Sequence, residues 1–222
     1  MKTIPEIVNF FNDDKVFITT EDHSVFTFAD VKKQLDETKD FFRKNHIQKT
    51  DTIAIVCENG PVMAASFLAT ASNCCAAPLN PSYTSSEFDF YLEDLNPKAL
   101  IVKEGSNSPV IEVAKKREIK IFNLLVNNNE PSGKFSLTSK EEKISSSVNQ
   151  NENIIPEDIA LILHTSGTTS KPKMVPLTHL NLCTSAKNIV QTLNLNRSDR
   201  CINIMPLFHI HGIVGLLLSS LF

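Results

Sequence analysis

Short runs of branched apolar residues alternate with segments of helical period along most of this chain. Thr52 to Cys57, Ala76 to Leu79, Ala99 to Val102, Ile119 to Phe122 and Ile159 to Leu163 read as buried strands. Between them, Asn59-Gly60-Pro61 turns into a helix through Ala71. Ser85 or Ser86 caps a helix whose inner side carries Phe88, Tyr91, Leu92 and Leu95, and Val110 to Lys116 forms another. Such alternation predicts an α/β fold, a parallel sheet with crossover helices. Ahead of it, Ile4, Ile7, Val8 and Phe11 fit one helix face, and Phe17-Ile18 and Val25-Phe26 suggest short strands. Thr27 caps a helix carrying Val31, Leu35, Thr38 and Phe42 on one side.

Residues 127–155 break the pattern. Runs of Asn and Ser there give a polar, low-complexity stretch that reads as a surface insertion or linker. At the other end, Ile210 to Phe222 reads as the start of a buried helix with no cap behind it, so the chain is expected to be a fragment or a truncated gene model. The apolar run Gly212 to Phe222 is shorter than a membrane span, and Pro5 and Glu6 interrupt the N-terminus in a way no signal peptide does.

A net charge of -3 with no Trp argues against a nucleic-acid partner. Cys57, Cys74, Cys75, Cys183 and Cys201 are odd in number and show no Cys-x-x-Cys spacing, so they read as reduced, mostly buried thiols of an intracellular protein. Ser220-Leu-Phe222 is not the usual Ser-Lys-Leu address, which leaves cytoplasm and peroxisome both open.

Chemistry concentrates in His164-Thr-Ser-Gly-Thr-Thr-Ser-Lys-Pro-Lys-Met-Val-Pro-Leu-Thr178. It follows a strand and leads into a helix from about His179 to Leu193, with Thr178 as its cap. By composition it fits an ordinary polar loop as well as a phosphate cradle, in which loop N–H groups, hydroxyls and a lysine surround an anion. Neither Gly-x-x-x-x-Gly-Lys-[Ser/Thr] nor Gly-x-Gly-x-x-Gly occurs.

The order of the residues is more specific than their composition. Thr165-Ser-Gly-Thr-Thr-Ser-Lys-Pro-Lys173 resembles the phosphate-loop signature of the acyl-adenylate-forming ligases, and Met205-Pro-Leu-Phe-His-Ile-His-Gly212 resembles that family's next motif. Ala77-Pro-Leu-Asn-Pro-Ser-Tyr-Thr-Ser-Ser-Glu87 and Leu95-Asn-Pro-Lys-Ala-Leu-Ile101 are similar to its upstream segments. The resemblance implies the N-terminal part of a large adenylation domain and a two-step ligase. ATP activates a carboxylate as acyl-AMP, Mg2+ assists, and coenzyme A takes the acyl group. It implies that Thr165, Ser166, Gly167, Thr168, Thr169, Ser170 and Lys173 hold the phosphates, with Thr168 also near the metal. His209 would lie by the carboxylate and α-phosphate as a catalytic and substrate-binding residue; a core histidine held by a backbone bond is the other reading. Gly212 would permit close backbone approach near the acyl pocket. His164 and His211 read as structural.

Two positions depart from the family pattern: Ser170 and Met174 stand where glycines are usual, which predicts a locally different or strained loop. Ser170, Pro-Leu-Asn-Pro-x-Tyr and Phe-His-x-His-Gly together resemble the branch of oxalate–CoA ligases. Oxalate is therefore the expected acid, with medium-chain or coumarate-type acids as alternatives. The rival classes are a non-catalytic nucleotide-binding fragment and an unrelated phosphate-binding α/β protein. The isolated chain is expected not to complete catalysis.

Overall fold

The computed structural model describes residues 1–21, 23–127, 129–140, 153–165 and 172–222. Helix α1 (Ile4–Phe10) opens the chain, and strands β1 (Val16–Thr19) and β2 (Val25–Thr27) pair as a small antiparallel ribbon. Then follow α2 (Phe28–Lys44), β3 (Thr52–Val56), α3 (Pro61–Ala71), β4 (Cys75–Pro78), α4 (Ser85–Leu95), β5 (Ala99–Lys103), α5 (Val110–Lys116) and β6 (Lys120–Leu125). The remainder is β7 (Ser136–Ser139), β8 (Ile159–Thr165), β9 (Lys173–Thr178), α6 (His179–Leu193), a π-helix (His211–Leu218) and a 3-10 turn (Ser219–Leu221).

Strands β3 to β9 form a seven-stranded sheet in the order β7-β6-β5-β3-β4-β8-β9. The interior pairs are parallel, as the alternation predicts, while β7 and β9 run antiparallel at the two edges. Period-two alternation sends Ile53, Ile55, Ala99 and Ile101 to one face, and Ala54, Val56, Leu100 and Val102 to the other. The first face packs under α1, α2, α3, α6 and the π-helix; the second packs under α4 and α5. Helix α3 is buried from Met63 to Ala71, as a helix apolar on every side must be.

Local chemistry sets the helix boundaries. Thr27 with Asp30, Thr84 with Glu87 and Thr178 with Asn181 each form a reciprocal box at a helix start. The cap of α4 is thus Thr84, not Ser85 or Ser86, because only Thr84 has Glu87 three positions on. Asn96 and Asn194 close α4 and α6 in the left-handed conformation, at φ 42° and 52°.

Two strands escaped the sequence pattern. Part of the 127–155 stretch belongs to the fold: Phe135 is buried, its N–H donates to Gln34 Oε1 at 3.1 Å, and β7 follows it. Gly133 makes room there, since a Cβ at that residue would sit 3.0 Å from the Phe26 ring. The second is β9, whose Pro176 suits only an edge, where a missing N–H costs no ladder bond. Met174 lies in this strand and is not among the residues with left-handed backbone, so it carries no strain. Ser170 lies outside the described residues.

The N-terminus is fastened by a buried histidine. His179, the first residue of α6, is fully enclosed, and its Nδ1 accepts the Ile4 N–H at 3.2 Å. Burial pushes its pKa down from 6.5 to about 4, against weaker opposing pulls from Asp158 and Glu6. The proton of the neutral ring therefore sits on Nε2, which finds no acceptor among the described residues.

Candidate functional site

Helices α3 and α4 follow the adjacent strands β3 and β4 but lie on opposite faces, so a crevice opens beyond the carboxyl ends of those strands. Glu58-Asn59-Gly60 and Leu79-Asn80 border it. Strand β8 lies parallel beside β4 and ends at the same edge.

The β8–β9 hairpin brings the two ends of the Ser/Thr-rich segment together. Thr165 and Lys173 are directly opposed across the ladder, and both are exposed. Lys173 makes no ion pair among the described residues, so its ammonium is available to an anion at the hairpin mouth. Ser166, Gly167, Thr168, Thr169 and Ser170 lie outside the described residues.

The second motif is tied to the same edge by one hydrogen bond and braced within itself by two more. Asn59 Oδ1 accepts the Leu207 N–H at 2.9 Å, binding the 205–211 segment to the end of β3. Asn203 accepts from the Met205 N–H at 3.1 Å and donates to the Gly212 carbonyl at 3.2 Å. Gly212 completes the fold-back: a Cβ there would lie 2.3 Å from the Pro206 oxygen and 2.9 Å from that of Met205. This is the close approach the sequence suggests, made against backbone. His209 is exposed, with Phe208 at 4.6 Å between ring centroids. It is therefore no buried core histidine. His211 lies over Gly215, whose absent Cβ leaves space for the ring.

A consequence is testable at Gly212. Gly212→Ala must push the 205–206 backbone outward, with an expected cost of about 1–3 kcal/mol. Urea unfolding of wild type and variant measures it; equal stability would show that the fold-back tolerates a methyl group.

His164 precedes the loop and is only 5% exposed at its side chain, with Nε2 2.8 Å from Asp94 Oδ2. The sequence pattern gives Asn59 only as part of a turn and leaves Asp94 unremarked, since both act on segments far along the chain. Cys57, Cys74, Cys75 and Cys183 are buried thiols without a disulfide, and burial pushes Cys57 and Cys183 up to about 11. They are inert as nucleophiles at neutral pH; Cys201 is exposed. Among the described residues no group of three or more His, Cys, Asp or Glu converges as a metal cage, and no helix is long and apolar enough to cross a membrane. A depression of about 550 Å³ among Asp51, Lys98, Arg117 and Lys120 opens at the opposite, amino-terminal edge of the strands. Ligands of open parallel sheets bind at the carboxyl edge, so that depression is not the candidate site.

Comparison with known proteins converges on one family. The chain is 34% identical over 235 residues to the oxalate–CoA ligase of Saccharomyces cerevisiae, covering 94% of this chain and 43% of that protein. It is 39% identical over 176 residues to the oxalate–CoA ligase of Arabidopsis thaliana, covering 79% of this chain and 34% of that protein. The chain thus spans less than half the length of these relatives. The crystal structure of apo MatB from Rhodopseudomonas palustris superposes with a TM-score of 0.78 at 22% identity, over 99% of this chain and 43% of that one, and shares the fold. The model of the AMP-binding enzyme family matches residues 7–222. With the loop-bearing hairpin and the anchored second motif at one edge of the sheet, the chain belongs to the AMP-binding enzymes, the acyl-adenylate-forming ligases.

Proposed function

We propose that this chain supplies the phosphate-holding half of an ATP-dependent acid–thiol ligase, and that its acid is oxalate. The observation that carries the proposal is the hairpin mouth, where Thr165 and Lys173 face each other at the carboxyl edge of a parallel sheet. The choice of oxalate rests on the two oxalate–CoA ligases above.

The reaction sets clear demands. A carboxylate oxygen forms a bond to the α-phosphorus of ATP while the bond from that phosphorus to the bridging oxygen breaks and pyrophosphate leaves. The thiolate of coenzyme A then attacks the acyl carbon, and AMP departs with the electron pair of its bond. In the first step two anions must be held together while charge gathers on the leaving group. The Lys173 ammonium would offset that charge, and Thr165 with the hydroxyls of Ser166, Thr168, Thr169 and Ser170 would donate to the phosphate oxygens. An oxygen-rich, carboxylate-poor mouth suits Mg2+, which takes most of its ligands from phosphates and water. Thr168 would help to hold that ion, which would supply positive charge against the phosphates. His209, exposed on the segment anchored by Asn59, is assigned to the carboxylate, with Gly212 shaping the turn beneath it.

The test is ATP–pyrophosphate exchange by the protein that carries this chain, driven in turn by oxalate, malonate, 4-coumarate and a medium-chain fatty acid. Oxalate should drive exchange at least tenfold better than the others. Preference for another acid would refute the substrate and keep the reaction. Nucleotide binding with no exchange for any acid would favour a non-catalytic binding protein.

A further inference from the structure

The last residues of β8 lead into the Ser/Thr-rich segment, and one of them is tied sideways to a helix. His164 immediately precedes Thr165. Strand alternation sends Leu163 into the core on the face that carries α6 and turns His164 toward α4. There the imidazole meets the Tyr91 ring at 4.7 Å between centroids, 67° apart, and the Phe90 ring at 6.5 Å. Its Nε2 lies 2.8 Å from Asp94 Oδ2, one turn further along the helix. Tyr91 in turn stacks on Tyr83 at 4.7 Å and 16°, and Tyr83 meets Phe88 edge-on at 5.7 Å. Helix α4 is itself fixed by the Thr84–Glu87 box. A continuous set of rings therefore runs from the segment after β4 to the end of β8.

Packing alone does not account for this arrangement. An aromatic or aliphatic residue would fill the same space without the desolvation cost of a polar ring that is 5% exposed. What the polar pair adds is direction. A hydrogen bond at one end and ring contacts at the other remove the rotational freedom of His164, and with it that of the peptide leading into Thr165. We propose that His164, held by Asp94, is a positioning residue that sets Thr165 at the hairpin mouth for the nucleotide phosphates. This rests on the assignment of the 165–173 loop as the phosphate site.

The test uses the protein that carries this chain and measures the KM of ATP, the KM of the acid and kcat in pyrophosphate exchange. Glutamine places an amide donor near where His164 has Nε2, whereas phenylalanine keeps the ring shape and loses the donor. His164→Phe should raise the KM of ATP on the order of tenfold, the effect of one charge-assisted hydrogen bond, with the KM of the acid within about twofold. His164→Gln should recover most of that loss, and Asp94→Asn, on the 41% exposed side of the pair, should give an intermediate rise without loss of folding. A purely structural role predicts a lower melting temperature with all three constants moving together, or equal behaviour of the Gln and Phe variants; either result overturns the proposal. So does a wild-type KM of ATP in both His164→Phe and Asp94→Asn. The double variant Thr168→Ala, Lys173→Ala separates the two readings. If it too leaves the KM of ATP unchanged, the loop assignment has failed; if it raises that KM while the His164 variants do not, only the positioning role has.

Discussion

The double substitution Thr168→Ala, Lys173→Ala is expected to lower adenylation by a factor on the order of 10²–10³, the usual effect of deleting preorganised donors from a developing anion. Folding should be retained. Lys173 is exposed at the hairpin mouth and has no ion-pair partner among the described residues, so removing it breaks no described contact. Surface changes of this sort stay within about 0.5 kcal/mol. The measurement is oxalate-dependent pyrophosphate exchange beside a melting curve. Lys173→Arg alone should retain part of the activity, since charge survives while the compact ammonium is replaced by a planar fork. Undiminished exchange by the double variant, with normal folding, would remove the phosphate role from this loop.

The second large effect is on stability and comes from His179. Its pKa is lowered on folding, from 6.5 to about 4, because the charged ring cannot be solvated where it lies. Between those values the unfolded chain binds a proton that the folded chain does not. Stability is therefore full above the unfolded pKa and is lost as pH falls from about 6.5 toward 4. This one group contributes a loss of about 2 kcal/mol by pH 5 and about 3 kcal/mol once both states are protonated. Urea unfolding near pH 7.5 and near pH 5 measures it. His179→Asn places an amide oxygen near where Nδ1 lies, keeps an acceptor for the Ile4 N–H and does not titrate, so its stability should change less over that interval by about 2 kcal/mol. The same pH dependence in both proteins would place the effect in other groups.

The helices and the parallel strands were legible because their signals are local. Thr27 and Thr178 stand three residues ahead of a reciprocating side chain, and Val31, Leu35, Thr38 and Phe42 repeat at helical spacing. Strand β7 was hidden because Ser136-Leu-Thr-Ser139 has no apolar alternation and sits in a polar stretch; its partner β6 supplies the pairing. Strand β9 was hidden by Pro176 and by Lys173, residues that read as loop until the neighbouring β8 is in place. The motif order pointed to the loop and to His209 without any geometry. The supports of those motifs were not visible, because they are long-range: Asn59 reaches Leu207, and Asp94 reaches His164. Spacing along a sequence carries no information about which distant side chain will complete such a bond.

The order of strands also governs how the sheet is assembled. Strands β3, β4, β5 and β6 are contiguous in the chain and pair among themselves, so they can associate as soon as residues 52–125 have left the ribosome. Until β8 arrives, β4 is a naked parallel edge. The hairpin must then find that edge across the chain between β6 and β8, a non-local pairing of the kind that forms slowly. In the finished sheet β8 meets β4 in register at Ala76 and Leu161, and β9 closes that side of the sheet as its edge. Amide hydrogens of the edge strand β9 should exchange sooner than those of the central strands β3 and β5. The hairpin proposed to hold the phosphates is thus the last part of the sheet to leave the ribosome.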